Sequence, residues 1–331
     1  MSAAATGAAV MWAPRWSPSL GLVQSVWSSA MPGVPCPRSL VAEQDGRPVG
    51  LAQMRPRREP SHWEVVYLAV EPLASPTRGK SHGPSGLEAV LPEPAPVPDR
   101  RAARLLGELC DACVAMGGER LFARIPDDQG PYELFRQVGF SPVVRELTYY
   151  RPNTGGKAEP ARRVGVEDVP GLRPQQRSDA FGLLQLYLSC TPKMVQMAEG
   201  KRSQSWEVAG QGFGQRLARR PRVQRWVVEA EGRKVAWLQV HAQRRGSHAV
   251  RLLVDDRAGQ LLEPLLDFAL TQLAGQAAPG VVLRVREHQQ RLIGLLEQRG
   301  FVPVETSLVM VKQLAAPVVQ PQLARAFEKV V

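Results

Sequence analysis

The chain is poor in cysteine. It has four in 331 residues, Cys36, Cys110, Cys113 and Cys190. These are too few and too scattered for a disulfide framework, and a reducing cytoplasm fits them. It lacks an apolar run long enough to span a bilayer, so no membrane association is expected. Its start, Met1 to Arg15, has an Ala-rich stretch with no basic region ahead of it, and is not read as a signal peptide. Aromatics are only 6% of the residues and do not interleave with the basic clusters, as a single-strand nucleic-acid binder would require. Cys110-x-x-Cys113 has no second ligand pair nearby, so it reads as helix packing, and no metal site is assigned.

Negative charge is scarce in one half. The net charge is +11, but residues 1–156 hold 16 Lys/Arg against 15 Asp/Glu, and residues 157–331 hold 26 against 16. Basic character therefore belongs to the second half. It could attract a phosphorylated cofactor, an acidic substrate or RNA, and a solvated surface is the plainer reading. Its densest cluster is Arg216, Arg219, Arg220, Arg222 and Arg225, beside Trp226.

What is present is an echo. Leu134–Arg151 (LFRQVGFSPVVRELTYYR) returns as Leu295–Lys312 (LLEQRGFVPVETSLVMVK), with Gly139-Phe140 matching Gly300-Phe301 at an offset of 161. Each copy reads as a helix stopped by a left-handed Gly, then a strand. Val41–Gln53 returns as Val228–Gln239, with Gly46 matching Gly232 at an offset of 186. Each copy here is a hairpin around Asp-Gly or Glu-Gly. The difference in offsets implies about 25 extra residues in the first copy, the size of the Pro/Gly-rich tract near 73–99. The expected domains are 1–152, with that insertion, and 167–314, joined by a linker at 153–166 and followed by a tail at 315–331.

Between the echoes, periodicity predicts a buried strand at Trp63–Val70 and a helix at Arg101–Met116. A strand follows at Arg120–Ile125, then a helix at Pro131–Val138 and a strand at Pro142–Tyr150. The second copy predicts a short strand ending at Leu172-Arg173-Pro174 and a helix at Asp179–Ser189. A helix over Ser203–Leu217 is weakened by three glycines. Strands at Arg225–Glu231, Lys234–His241 and Ala249–Val254 precede a helix at Ala258–Ala274 that contains Pro264. A strand at Val281–Val285, a helix at Gln290–Arg299 and a strand at Ser307–Lys312 close it. A short helix at Leu20–Ala30 and a loose one after Pro317 are also expected.

This order of elements resembles the GCN5-related N-acetyltransferase (GNAT) superfamily, as a tandem covering about residues 40–151 and 169–313. The resemblance implies an α/β fold, mixed α+β layered: two GNAT-like domains, each a mixed, mostly antiparallel sheet flanked by helices. It also implies acetyl-CoA as co-substrate, carried between two splayed parallel strands, and an amine of a small molecule or peptide as acceptor. The buried strand would then offer Leu68, Ala69 and Val70 to the pantetheine arm. Arg78-Gly79-Lys80-Ser81-His82-Gly83 resembles the pyrophosphate loop, with Arg78, Gly79, Lys80, Ser81 and Gly83 as its binding residues. Ser81 stands where a Gly is usual, and three extra residues precede Arg78. In the second copy Asp255-Asp256-Arg257-Ala258-Gly259 is short and acidic, which favours a structural or substrate-shaping role.

Many members protonate the departing thiolate with a Tyr of the closing helix. The positions here are Phe135 and Leu296. Glu64 is the candidate catalytic base, with His62 second, although an exposed strand-end carboxylate is the plainer reading of Glu64. Three functions stay open. One is an acyl-CoA-dependent N-acyltransferase binding its cofactor in the first copy. Another is a degenerate, non-catalytic scaffold. The third is an aminoacyl-tRNA-dependent transferase, with nucleic acid as partner.

Overall fold

A computed structural model describes residues 11–12, 38–57, 59, 61–71, 100–127, 129–153, 163–208, 222–243, 246–276 and 278–314. The expected helix at 20–30, the loop Arg78–Gly83, the arginines 216, 219 and 220 and the tail after 314 lie outside the described residues. The chain divides into two compact units. One comprises Met1–Ala123, Glu133–Phe140 and Val311–Val331, and the other comprises Arg124–Tyr132 and Ser141–Met310.

In the first unit, β1 (Met11–Trp12), β2 (Arg38–Gln44), β3 (Arg47–Pro56), β4 (His62–Val70) and β5 (Arg120–Pro126) are the strands. Their order is β2-β3-β4-β5, with β1 added to β4. Asp45 and Gly46 turn the β2–β3 hairpin with φ of 52° and 72°. Two left-handed central residues give the turn whose twist matches that of the strands it joins. Helix α1 (Arg100–Ala115) buries Ala102, Leu105, Leu106, Leu109, Cys110 and Cys113, the stripe its spacing predicts. Both cysteines are core side chains, and burial pushes Cys113 up to about 12.

Helix α2 (Gln129–Gln137) shows what the sequence echo encodes. The amide of Gly139 donates to the Arg136 carbonyl and that of Phe140 to the Phe135 carbonyl. In the second copy, Gly300 donates to Glu297 and Phe301 to Leu296. The same Schellman cap closes both helices, with φ of 90° at Gly139 and 76° at Gly300. Each cap drops a Phe into a core, Phe140 at 2% exposure and Phe301 at 2%. Burial of such a ring is worth about 2–3 kcal/mol.

The second unit's sheet uses β6 (Ser141–Pro152), β7 (Leu172–Pro174), β8 (Arg222–Ala230), β9 (Arg233–Ala242), β10 (His248–Val254), β11 (Gly280–Arg286) and β12 (Val302–Gln313). Their order is β12-β6-β11-β10-β9-β8-β7. The closing strand of the first sequence copy, β6, thus lies in this sheet, antiparallel to β11 from Glu146–Arg286 to Pro152–Gly280. Alternation sorts its side chains. Trp226, Val228, Ala236, Leu238 and Val240 pack with α5 (Leu262–Leu273), whereas Val227 and Trp237 pack with α3 (Ala180–Cys190) and Trp206. The turn between β8 and β9 repeats the first hairpin, with Glu231 and Gly232 at φ of 51° and 71°.

Pro264 is accommodated because α5 proper starts at Leu262, after a 3-10 segment over Asp256–Leu261. A first-turn proline has no helical amide to lose. Helix α4 (Lys193–Glu199) was not anticipated, since seven residues between Pro192 and Gly200 are too few to show a period. The helix expected from Ser203 is a single 3-10 turn over Ser203–Trp206 in its described part. Helix α6 (Gln290–Gln298) precedes β12. Among the described residues, no helix is long and apolar enough to cross a membrane.

Candidate functional site

In the first unit, β4 and β5 are parallel but pair at three positions only, His62–Arg120, Trp63–Leu121 and Glu64–Phe122. Beyond Glu64, β4 continues to Val70 with β3 on one edge, from Val65–Met54 to Val70–Gly50. Its other edge is paired at Leu68 and Ala69 with Trp12 and Met11, antiparallel. The Leu68 and Val70 side chains are buried and Ala69 is half-buried, so what these residues offer outward is backbone. Arg101, in the first turn of α1, donates from Nη2 to the Glu71 carbonyl at 2.6 Å. The chain therefore leaves β4 and returns at α1 within hydrogen-bond reach of the same corner. The expected phosphate residues Arg78, Gly79, Lys80, Ser81 and Gly83 belong to the tract between.

Glu64 stands at the vertex where the strands part. It is 6% exposed, which corrects the plainer expectation of an exposed strand-end carboxylate. Arg55, its cross-strand partner, donates from Nε at 3.2 Å and Nη2 at 2.9 Å to Oε2. His62 is also buried, 5.6 Å ring to ring from Phe122, whose face carries the Arg57 guanidinium at 4.1 Å. Burial holds His62 below the usual imidazole value, so it is neutral near pH 7. The closing-helix positions Phe135 and Leu296 are 1% and 0% exposed and have no hydroxyl. Phe135 packs edge-to-face on Phe140 at 5.1 Å.

The second unit repeats the parting. Strands β10 and β11 are parallel and pair only from His248–Val281 to Val250–Leu283. The vertex residue equivalent to Glu64 is Val250, which is apolar and buried. Past it opens a cleft of about 550 Å³. Its walls are Leu252 and Val254 of β10, the α3–α4 turn at Ser189–Pro192, and the β11–α6 turn at His288–Gln290. At the head of the 3-10 segment the Asp255 carboxylate accepts from the Arg257 amide at 3.0 Å, and the Asp255 carbonyl accepts from the Ala258 amide at 2.8 Å.

A buried charge network lies beside this cleft, and sequence reasoning missed it. Glu199 is 4% exposed and accepts from the Tyr187 hydroxyl at 2.7 Å and from Arg286, with Lys201 at 3.2 Å. Burial alone would raise the Glu199 carboxyl, but Lys201 and Arg286 hold it well below its ordinary value. Glu146 behaves alike, with burial outweighed by Arg124, Arg284 and Arg286. No local spacing betrays the network, because Tyr187 and Arg286 lie 12 and 87 residues from Glu199. Other candidates are structural. Tyr149 is buried and donates to Glu297, Tyr150 donates to the Pro279 carbonyl, Arg225 donates to Gln239, and Trp226 packs edge-to-face on Phe268.

No family model matches the chain. No curated protein matches it either. Among solved structures, a tandem GNAT protein from the clavulanic acid biosynthesis pathway is 15% identical, with a TM-score of 0.49 over 93% of this chain and 98% of its own. A GCN5-related N-acetyltransferase from Sphaerobacter thermophilus is 14% identical, with a TM-score of 0.47 over 89% of this chain and 86% of its own. A GNAT-family acetyltransferase from Colwellia psychrerythraea is 10% identical, with a TM-score of 0.42 over 89% and 96%. Each unit holds one parallel strand pair that parts, and in fold the chain is similar to these GNAT proteins over most of its length.

Proposed function

We propose that the protein is an acyl-CoA-dependent N-acyltransferase that takes acetyl-CoA against β4 of the first unit and transfers the acetyl group to an amine. The carrying observation is the β4–β5 parting at Glu64, next to a β4 edge that accepts an extended chain by backbone pairing, as Met11–Trp12 shows. Pantetheine is an extended amide chain and suits the same donors and acceptors. Bound there, acetyl-CoA supplies a thioester carbonyl and a thiolate leaving group. Glu64, at the vertex and oriented by Arg55, takes the proton of the attacking amine as the N–C bond forms and the C–S bond breaks. With Phe135 in the usual acid position, the departing sulfur draws its proton from water. The free thiols of Cys110, Cys113 and Cys190 are in keeping with a proposed cytoplasmic location.

The loop Arg78–Gly83 completes the reading. Replacing Arg78 and Lys80 together by Ala removes charge-assisted phosphate contacts, each worth about 1.5–3 kcal/mol. Calorimetry with acetyl-CoA is expected to show binding to the natural chain and at least a tenfold loss in the double variant. Unchanged affinity would sink the loop assignment. No binding to the natural chain would leave the non-catalytic scaffold.

A further inference from the structure

Helix α3 is apolar on both faces. Ala180, Leu183, Leu186 and Tyr187 are its buried side, and Phe181, Leu184 and Leu188, at spacings of three and four, form the opposite stripe. No charged residue stands between Asp179 and Lys193. A helix apolar all round is ordinarily covered all round. Here Phe181 is 64% exposed and Leu188 44%. Helix α4 continues the surface. Its Val195 and Ala198 are buried, whereas Met194 and Met197 are 72% and 64% exposed. The Gln196 side chain donates to the Leu188 carbonyl at 2.8 Å and to the Thr191 carbonyl at 2.6 Å, which holds α4 against the end of α3. Among the described residues, Phe181, Met194 and Met197 are the most exposed large apolar side chains.

The charge around this surface is mostly of one sign. Between Arg177 and Trp206 the acids are Asp179 and Glu199, both buried and both ion-paired. The exposed ions of that stretch are Arg177, Lys193 and Arg202. Glu207 follows it, and beside Ser189 the acids Asp255 and Asp256 are balanced in number by Arg257 and Arg291, so the surplus is positive. Side chains this exposed stand out from a surface and do not line a groove that would seat a partner helix. Together they present roughly a few hundred Å², less than the about 800 Å² per partner of a stable protein interface. A second copy would bring the same cations against these, because a twofold contact pairs a surface with itself. A lipid surface takes protruding apolar side chains into its interface, and anionic headgroups attract the cations around them.

We propose that the outer face of α3 and α4 docks on an anionic lipid surface. Phe181, Leu188, Met194 and Met197 enter the interface, and Arg177, Lys193 and Arg202 meet the headgroups. The sequence gave no expectation of membrane association because it lacks a span, and a peripheral contact of this kind needs none. It is independent of acyl transfer and of CoA in the first unit.

The test is co-sedimentation of the full chain with phosphatidylcholine vesicles, with and without phosphatidylserine. Binding is expected to be several-fold stronger with phosphatidylserine and to weaken as salt rises. Met194→Gln and Met197→Gln together are expected to weaken it about tenfold, because they remove apolar surface from the interface and keep every charge. Both side chains are exposed, so the thermal midpoint should hold. Lys193→Glu is expected to weaken binding to the anionic vesicles several-fold. Equal binding to both vesicles, or unchanged binding in the methionine pair variant, overturns the proposal. Binding to neither vesicle overturns it too, and leaves the face to an acidic protein.

Discussion

Asp179 is 2% exposed and charged, and its partners explain why that is stable. Arg173 reaches both of its oxygens, at 2.9 and 2.7 Å, the Gln176 amide donates at 2.7 Å, and Lys234 lies at 3.3 Å. Burial would raise its pKa, but these donors outweigh it and lower the carboxyl to about 2. A depressed carboxylate stabilises the fold above its unfolded value near 3.9, and that contribution is lost as pH falls through about 2. The shift corresponds to roughly 2 kcal/mol. Asp179→Asn should therefore cost about 2 kcal/mol in urea unfolding at pH 7, and the gap to the natural chain should close between about pH 4 and pH 2. A gap independent of pH would mean that charge plays no part. Arg173 and Gln176 are near Asp179 in sequence, but Glu229 and Lys234 arrive from the β8–β9 hairpin, so local sequence does not announce the whole cluster. Glu64 is similar. Its residue type and strand are readable, whereas its burial against Arg55 depends on hairpin register.

At the level of elements, local chemistry carried far. Asp45-Gly46 and Glu231-Gly232 announce both hairpins, and Gly139 and Gly300 announce both caps, because left-handed backbone is a demand that few residues meet. What local pattern could not announce is β1. Two residues have no period, and only an open strand edge turns Met11–Trp12 into a strand. That pairing covers Leu68 and Ala69, the same backbone groups proposed for pantetheine. On that proposal the two ligands are mutually exclusive there, and acetyl-CoA would have to displace the segment. Deleting residues 1–15 is expected to tighten acetyl-CoA binding several-fold by calorimetry, since the competitor is gone. Equal affinity in the deletion would show that Met11–Trp12 does not compete.

Across the whole molecule, the two copies diverge at their vertices. The first offers Glu64 and an edge able to take an extended chain. The second offers Val250, amides spent on Asp255 and a carbonyl held by Gln289. One acetyl-CoA per chain is the expected stoichiometry in calorimetric titration, and a value of two would overturn the assignment of roles. The repeat itself was visible because caps, turns and alternating strands are read within a dozen residues.

The sequence alone determined the duplicated element order, the hairpin turns, the helix caps and the inward stripe of α1, all of which rest on short-range backbone chemistry and periodicity. Tertiary structure decided the rest. It placed β6 beside β11, set Glu64 at the point where β4 and β5 part, and gathered Tyr187, Glu199 and Arg286 into one buried network. Strand neighbours and buried charge pairs are chosen by which surfaces can close over each other and which charges find partners out of water, and neither is written in local spacing.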